Sequence, residues 1–477
     1  MVFSSPTFLF LFLPAVLLAT WAAPTRLRRF VLLGASIGFY TWGVQDFVLI
    51  ILASTTLDWA LARGIARARS DGRGRRARAL LILGLVQNLG LLAWFKYAGF
   101  LSEQVERIAD MAGIGHTGTL EILLPIGISF FTFEKVSYLV DVWRGDVEAR
   151  RDPFDVLLFV FLFPRSIAGP IVRLREIQDD LRRPQPRIDL AQAGAIRFAH
   201  GLAKKVLIAD QIAPVADAAF ASAADGSLTT GSAWLGAVAY SLQLYFDFSA
   251  YSDMAIGIGM MLGFRLPENF DRPYSSKSIT EFWRRWHMTL SRWFRDYVYI
   301  PLGGNRSSEA RTRRNLIAVF ALTGLWHGAE WAFVLWGLYH GAWLLIERRM
   351  GWRALDGPVR LPWLRRAAVL FIVLIGWVLF RAESLSLAGD YYRAMFVPTG
   401  GDTGAVDAAL TNQALVALLI GAVIAVLPGT LAGGRRLVES RGPTVAIARV
   451  VLLAIVLPLA LITAFASDYS PFLYFQF

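Results

Sequence analysis

Residues 63–78 hold seven arginines in sixteen positions, with an apolar run of membrane-spanning length on either side. A run of about 20 apolar residues crosses a hydrocarbon core of about 30 Å when helical, at 1.5 Å per residue. Several such runs alternating with basic segments restrict the chain to one class, an all-α polytopic membrane protein whose helices satisfy their own backbone polar groups. The arginines place the 63–78 segment on the cytoplasmic side, and the three spans before it (6–23, 30–45 and 47–62) set the N-terminus outside. Residues 2–23 read as an uncleaved first span: no basic segment precedes them, Trp21 disfavours a small-residue cleavage site, and Arg26, Arg28 and Arg29 follow the run.

Further spans at 79–101, 122–142, 194–215, 233–263, from 315 onward, 367–381, 412–431 and 444–466 bring the expectation to about eleven transmembrane helices in one domain, residues 1–477, with its chemistry in 240–345. The segment 154–163 has only ten apolar residues, too few to cross, and is expected to be buried or re-entrant. Residues 165–187 read as a charged cytoplasmic stretch and 216–232 as an outside loop. Arg435, Arg436 and Arg441 put the last short loop inside. Lysine and arginine total 48 against 36 aspartates and glutamates. In a soluble chain that excess would suggest nucleic acid; here the positive clusters lie between spans, so the partner they address is the bilayer. The absence of cysteine excludes disulfides, thiolate-ligated metals and a thioester held on this chain.

The stretch 269–340 concentrates the unusual residues. Ser278 and Glu281 form a capping box that starts a helix. Trp283, Trp286, Leu290 and Trp293 then recur at i, i+3, i+7 and i+10, while Arg284, Arg285, Arg292 and Arg295 lie mostly off that stripe. One helix is expected along the inner membrane surface, indoles at headgroup depth, with His287 on the apolar stripe and pointing inward. An interfacial anchor without chemistry fits the same pattern. From Asn315, helical rise carries His327 about 18 Å inward, where an ionisable side chain must face a cavity or a partner. Gly324 and Gly328 flank it at a spacing that lets another backbone approach. Glu330 needs a wet or paired setting. A neutral histidine bonded between helices is the alternative for His327. His340, in GLYHGA, repeats the GLWHGA around His327, but thirteen residues place the two on opposite faces of a continuous helix, so they are not one binding pair. His200 reads as a packing residue and His116 as a loop residue. No histidine pair has metal-ligand spacing.

A neutral imidazole in a low-dielectric tunnel suits removal of a proton from an alcohol that attacks an acyl carbonyl. No GxSxG elbow suggests a hydrolase. An arginine-rich cytosolic rim suits an anionic acyl donor such as a coenzyme A thioester. The intramembrane Asp58, Glu134, Asp247 and Asp253 leave a glycolipid transporter or flippase open, although no paired, Gly/Pro-broken spans occur in matching halves. A non-catalytic scaffold for a periplasmic polysaccharide-modifying enzyme is a third reading.

The segments WRRWHMTLSRWFRDYVYIPLGGNR, GLWHGAEWAFVLWGLYHG, YFDFSAYSDMAIGIGMMLGFRLPENF, FPRSIAGPIVR, the opening VFSSPTFLFLFLP and the terminal PFLYFQF together resemble the membrane-bound O-acyltransferases (MBOAT). Within them the chain is similar to the bacterial branch of alginate O-acetyltransferases and D-alanyl transfer proteins, and more to the alginate-acetylating type. The resemblance implies a ring of transmembrane helices with re-entrant and interfacial elements around a central tunnel, with His327 as the family's invariant histidine and His287 as its second. It implies cytosolic acetyl-CoA as acyl-donor substrate and no bound cofactor or metal. It further implies residence in a bacterial inner membrane, a periplasmic SGNH-type acetyltransferase as partner and an extracytoplasmic polysaccharide as final acceptor. Candidates to contact the donor are Arg284, Arg285, Arg292, Arg295, Asn269, Trp286 and Trp326. Arg165 stands where the family pattern often has a histidine.

Overall fold

The computed structural model describes residues 2–44, 47–113, 118–166, 168–306, 308–351, 361–401, 403–426 and 434–466. His116, Ser307 and the terminal PFLYFQF lie outside the described residues. Regular structure among the described residues is helical throughout. Among the described residues five helices are long and apolar enough to cross a membrane: α3 (Phe47–Ser70), α4 (Gly74–Met111), α8 (Ile188–Ala224), α14 (Pro362–Arg381) and α19 (Pro443–Ala466). Two shorter apolar helices, α1 (Phe8–Ala22) and α17 (Asn412–Val426), accompany them. The arginine-rich segment 63–78, whose charge suggested a loop, is mostly helical. Helix α3 continues to Ser70, α4 resumes at Gly74, and only a short turn with Gly72 at φ 71° separates them. Arginine is a good helix former, so the charges ride on the helix ends. The expected outside loop 216–232 is likewise helical as far as Ala224.

The described residues gather into two compact units, one of 7–194 and 258–267, the other of 2–6, 195–257 and 268–477. In the first, α5 (Ile128–Arg144) packs among α3 and α4, and Gly84 is where Leu139 presses on α4. Helix α6 (Pro153–Phe161) starts on Asp152, whose carboxylate accepts the Phe154 N–H at 3.0 Å, with Pro153 pre-set in the first turn. It runs nine residues into Leu162 and Phe163, both fully buried, so the segment expected to be buried or re-entrant is largely buried from Asp155 on, with Phe154 exposed at its start. Arg165 departs from the expected cytoplasmic stretch. It is fully buried and ion-paired with Glu134 of α5, each charge removing the other's reason to stay in water. Residues beyond it form α7 (Leu174–Arg182), with Leu174, Ile177 and Leu181 buried.

In the second unit, α9 (Thr230–Met261) contributes its part up to Gly257. The helices that carry the conspicuous motifs are α10 (Ile279–Arg285), α11 (Met288–Phe294), α12 (Glu309–His327) and α13 (Trp331–Met350). Helices α12 and α13 form a tight antiparallel hairpin. A side chain at Gly324 would meet the Phe333 carbonyl, and one at Gly337 would meet the Phe320 carbonyl. Glycine there lets two backbones touch, the close approach that the small-residue spacing predicted. The GLWHGA and GLYHGA elements therefore sit on two helices and not on one, because the chain leaves helix at Gly328, φ −154° and ψ 151°, where the Phe333 ring occupies the space of a β-carbon.

Candidate active site

The expected single helix over 278–293 is two seven-residue helices with a hinge between them. Half of the anticipated capping box forms: Ser278 Oγ accepts the Glu281 N–H at 3.0 Å, but the Glu281 carboxylate accepts the N–H of Lys277, one residue before the cap, at 2.8 Å. A second cap comes from far along the chain. The buried carboxylate of Glu347 on α13 accepts the Ile279 and Thr280 N–H groups and the Thr280 hydroxyl, the last two at 2.9 and 3.0 Å. Two acceptor groups on one helix start fix α10 rigidly to α13. Helix α10 then stops: Trp286 is extended and His287 takes left-handed backbone angles, φ 43° and ψ 54°. Helix α11 restarts beneath Asn269, whose main-chain oxygen accepts the Met288 N–H at 2.9 Å. Its side-chain oxygen accepts the Thr289 N–H and O–H at 3.2 and 2.9 Å and meets His287 Nδ1 at 3.1 Å.

The indoles pack into the protein and not outward: Trp283, Trp286 and Trp293 are all buried. Trp283 packs edge-on against Phe320 and Trp336 at 5.3 and 5.6 Å, and Trp286 lies 4.9 Å from Trp377. His287 is inward as expected, 1% exposed, its ring edge-on to Phe248 at 4.7 Å. It lies between two helices too short to cross a membrane, and burial pushes its pKa down to about 3, which keeps the imidazole neutral.

His327 is the last residue of α12. Its ring contacts Trp326, Trp336 and Phe380 at 4.8, 5.1 and 5.1 Å. Trp326 is also in ring contact with His287, at 6.3 Å, so one indole touches both histidines. His340 is fully buried against Trp283 and Trp336, at 5.0 and 5.2 Å, and Gly376 makes room for its ring. Trp336 thus lies against both His327 and His340.

A cavity of about 920 Å³ opens beside this cluster. On α12 its wall is Leu316, Val319, Phe320 and Thr323, spaced i, i+3, i+4 and i+7; Trp326 and His327, the next positions of that stripe, are not part of the lining, nor is His287. Arg284, Arg292 and Arg295 line it, as does Arg348, which sequence reasoning missed. A hydrogen bond and ion pair with Asp296 at 2.6 Å raise the Arg295 pKa. Arg285 is not brought to this wall. It pairs with Glu281 at 2.6 Å and donates to Ser275 Oγ at 3.3 Å. Trp286 and Asn269 are also absent from the lining, buried behind it. A smaller cavity of about 430 Å³ is lined by Arg197, Lys204, Asp253, Glu268 and Arg435, and Met288, next to His287, borders both.

The carboxylates that suggested transport are tied up in pairs. Asp58 lies 3.7 Å from Lys135 and accepts from Asn88, and Glu134 holds Arg165. Asp247 meets Lys205 at 2.8 Å. Asp253 meets Arg197 and Lys204, both at 2.6 Å, and His200 at 3.1 Å, so His200 serves an ion cluster within the second unit.

Long apolar helices, two buried histidines in contact with one indole and an arginine-lined cavity beside them fit a membrane enzyme of acyl transfer. The family model for membrane-bound O-acyltransferases matches residues 85–386, and the chain belongs to that family. Among individual proteins it is 43% identical to the "Probable alginate O-acetylase AlgI" of Azotobacter vinelandii, over the whole of both chains. It is 48% identical to the protein of that name from Pseudomonas aeruginosa, over 83% of this chain and 75% of that one. The "Peptidoglycan O-acetyltransferase" of Helicobacter pylori is 35% identical over 83% of this chain and 80% of its own.

Proposed function

We propose that this multi-pass membrane enzyme moves an acetyl group from cytosolic acetyl-CoA through the bacterial inner membrane to a periplasmic acetyltransferase of the SGNH type, which esterifies an alginate-like polysaccharide. The observation that carries the reading is the cavity lined by Arg284, Arg292, Arg295 and Arg348, whose α12 wall of Leu316, Val319, Phe320 and Thr323 ends about one helical turn short of His327. Phosphates of a coenzyme A thioester suit the arginines, and the apolar wall suits its acyl arm. The names of the relatives favour acetyl over other acyl groups and alginate over other polymers.

In this reading His327 is the general base. The hydroxyl oxygen of the acceptor attacks the thioester carbonyl as its proton passes to the imidazole; the C–O bond forms, the C–S bond breaks, and the proton then leaves with the thiol. His287, neutral and linked to His327 through Trp326, orients the thioester or receives a hydrogen bond from the reacting groups. Reconstitution with labelled acetyl-CoA and the periplasmic partner tests the scheme: label is expected on the partner with the wild type and not with His327→Gln. Label arriving at the wild-type rate with that variant would sink it.

A further inference from the structure

Asn269 makes contacts that settle which nitrogen of His287 carries the proton. The side-chain oxygen of an asparagine only accepts, and a backbone N–H only donates. The Thr289 N–H, 3.2 Å from the Asn269 carboxamide, therefore fixes which end of that carboxamide is oxygen. Thr289 N lies in the first turn of α11, where no intrahelical acceptor exists, so this bond also serves as a cap. The same oxygen takes the Thr289 hydroxyl at 2.9 Å. His287 Nδ1, 3.1 Å from that oxygen, must then donate, and in a neutral ring the proton sits on Nδ1. Nε2 is left with its lone pair, buried and without a hydrogen-bond partner among the described residues. Asn269 is itself fully buried.

A buried lone pair held in one direction and left unmatched is a costly arrangement unless something supplies the missing donor. We propose that Asn269 is a positioning residue for acyl transfer: it holds His287 as the Nδ1–H tautomer so that Nε2 receives a hydrogen bond from an O–H or N–H of a bound substrate. The inference rests on the reading that His287 belongs to the active site. The backbone supports the same role. Bonds on either side of His287 hold its left-handed angles, the Asp271 N–H on the Arg285 carbonyl before it and the Asn269 oxygens on Met288 and Thr289 after it, so ring and main chain are oriented together.

Two readouts on the full chain in nanodiscs test this. With ¹⁵N-histidine labelling, and His287→Gln used to assign the resonance, His287 is expected to show a protonated Nδ1 and an unprotonated Nε2. Asn269→Ala is expected to turn this into a mixture of tautomers. An Nε2–H tautomer in the wild type overturns the proposal. The second readout is the pH profile of acetyl transfer. Burial alone depresses the His287 pKa, with no charged side chain contributing. Asn269→Asp keeps the acceptor but adds a negative charge beside Nδ1–H, which favours the imidazolium and raises the pKa by about 1–3 units. Because activity needs the free Nε2 lone pair, the limb on which activity falls with falling pH moves upward by the same amount. Transfer near pH 8 is expected within about tenfold of wild type for Asn269→Asp and at least 100-fold down for Asn269→Ala, the range of a misplaced acid–base group.

A purely structural asparagine predicts otherwise. Asn269→Asp and Asn269→Ala equally impaired, with the acidic limb unmoved, would overturn the positioning role even if Asn269→Ala folds poorly. Full transfer by Asn269→Ala beside an inactive His287→Gln overturns this inference alone. Wild-type transfer by His287→Gln overturns the site on which it rests. Substrate source is separated by affinity. A loss of binding for a non-hydrolysable acetyl-CoA analogue in His287→Gln assigns the hydrogen bond to the donor; unchanged donor binding with lost transfer assigns it to the acceptor hydroxyl.

Discussion

Replacing His327 separates chemistry from packing only if the right residue is used. The imidazole touches three aromatic rings, Trp326, Trp336 and Phe380. Aromatic contacts of this kind contribute about 0.5–1.5 kcal/mol each, so His327→Ala removes roughly 2–4 kcal/mol of stability. The glycines at 324 and 328 offer no slack, because Phe333 already fills the space beside both. Loss of a general base costs about 10²- to 10⁴-fold in rate, or about 3–5 kcal/mol in the barrier. The two effects of the alanine variant are thus of similar size, and a dead His327→Ala protein proves nothing by itself. His327→Gln fills most of the volume and keeps polar atoms without a usable base. The expectation is a melting temperature close to wild type, unchanged affinity for an acetyl-CoA analogue and transfer reduced by about 10²- to 10⁴-fold. The assay is single-turnover transfer of labelled acetyl in nanodiscs with thermal unfolding measured on the same sample. Wild-type transfer by this variant, or a loss of transfer matched by loss of folded protein, would refute the reasoning.

Neutralising Arg284, Arg292, Arg295 and Arg348 together is expected to raise the donor KM at least tenfold with a smaller change in kcat, and added salt should mimic it; Arg285→Ala, whose guanidinium serves Glu281, should leave KM within about twofold. Glu347→Gln, with one carboxylate oxygen replaced by a donor, is expected to destabilise the protein by about 1–3 kcal/mol and show up as a lower melting temperature and faster proteolysis near Ser278. Gly324→Val drives a branched side chain into the Phe333 carbonyl and should cost about 1–3 kcal/mol or more, read as loss of monodisperse protein on gel filtration.

The membrane class and most long helices were legible because length and hydropathy are local properties, and a run such as 443–466 has no other soluble or structural use. The helix cap at Ser278 was legible for the same reason. The hinge at His287 was not, since it is imposed from outside the segment: Asn269 comes from eighteen residues upstream and Glu347 from far downstream, and the stripe of tryptophans by itself fits a continuous helix. The break after His327 was hidden because apolar residues continue across it, and only the Phe333 ring against Gly328 shows why the chain turns. The intramembrane carboxylates were visible as anomalies, but their cationic partners are distant in sequence, so an ion-paired scaffold looked like a transport path. The sequence marked His287 and His327 as unusual and both are buried, whereas Arg348 was missed, being one of two adjacent arginines at the end of an apolar helix.

The backbone at position 287 limits what evolution or an engineer can place there. At φ 43°, β-branched and bulky residues are strained, while glycine, asparagine, aspartate and histidine are the residues that enter this region most readily. A saturation library at this codon, sorted first for folded protein, is expected to return that short list and little else. Sorted again for acetyl transfer near neutral pH, it should narrow to histidine, because glycine has no side chain, buried aspartate adds a charge, and asparagine is no base. The fold thus sets a four-letter alphabet at this site, and the chemistry reads one letter of it.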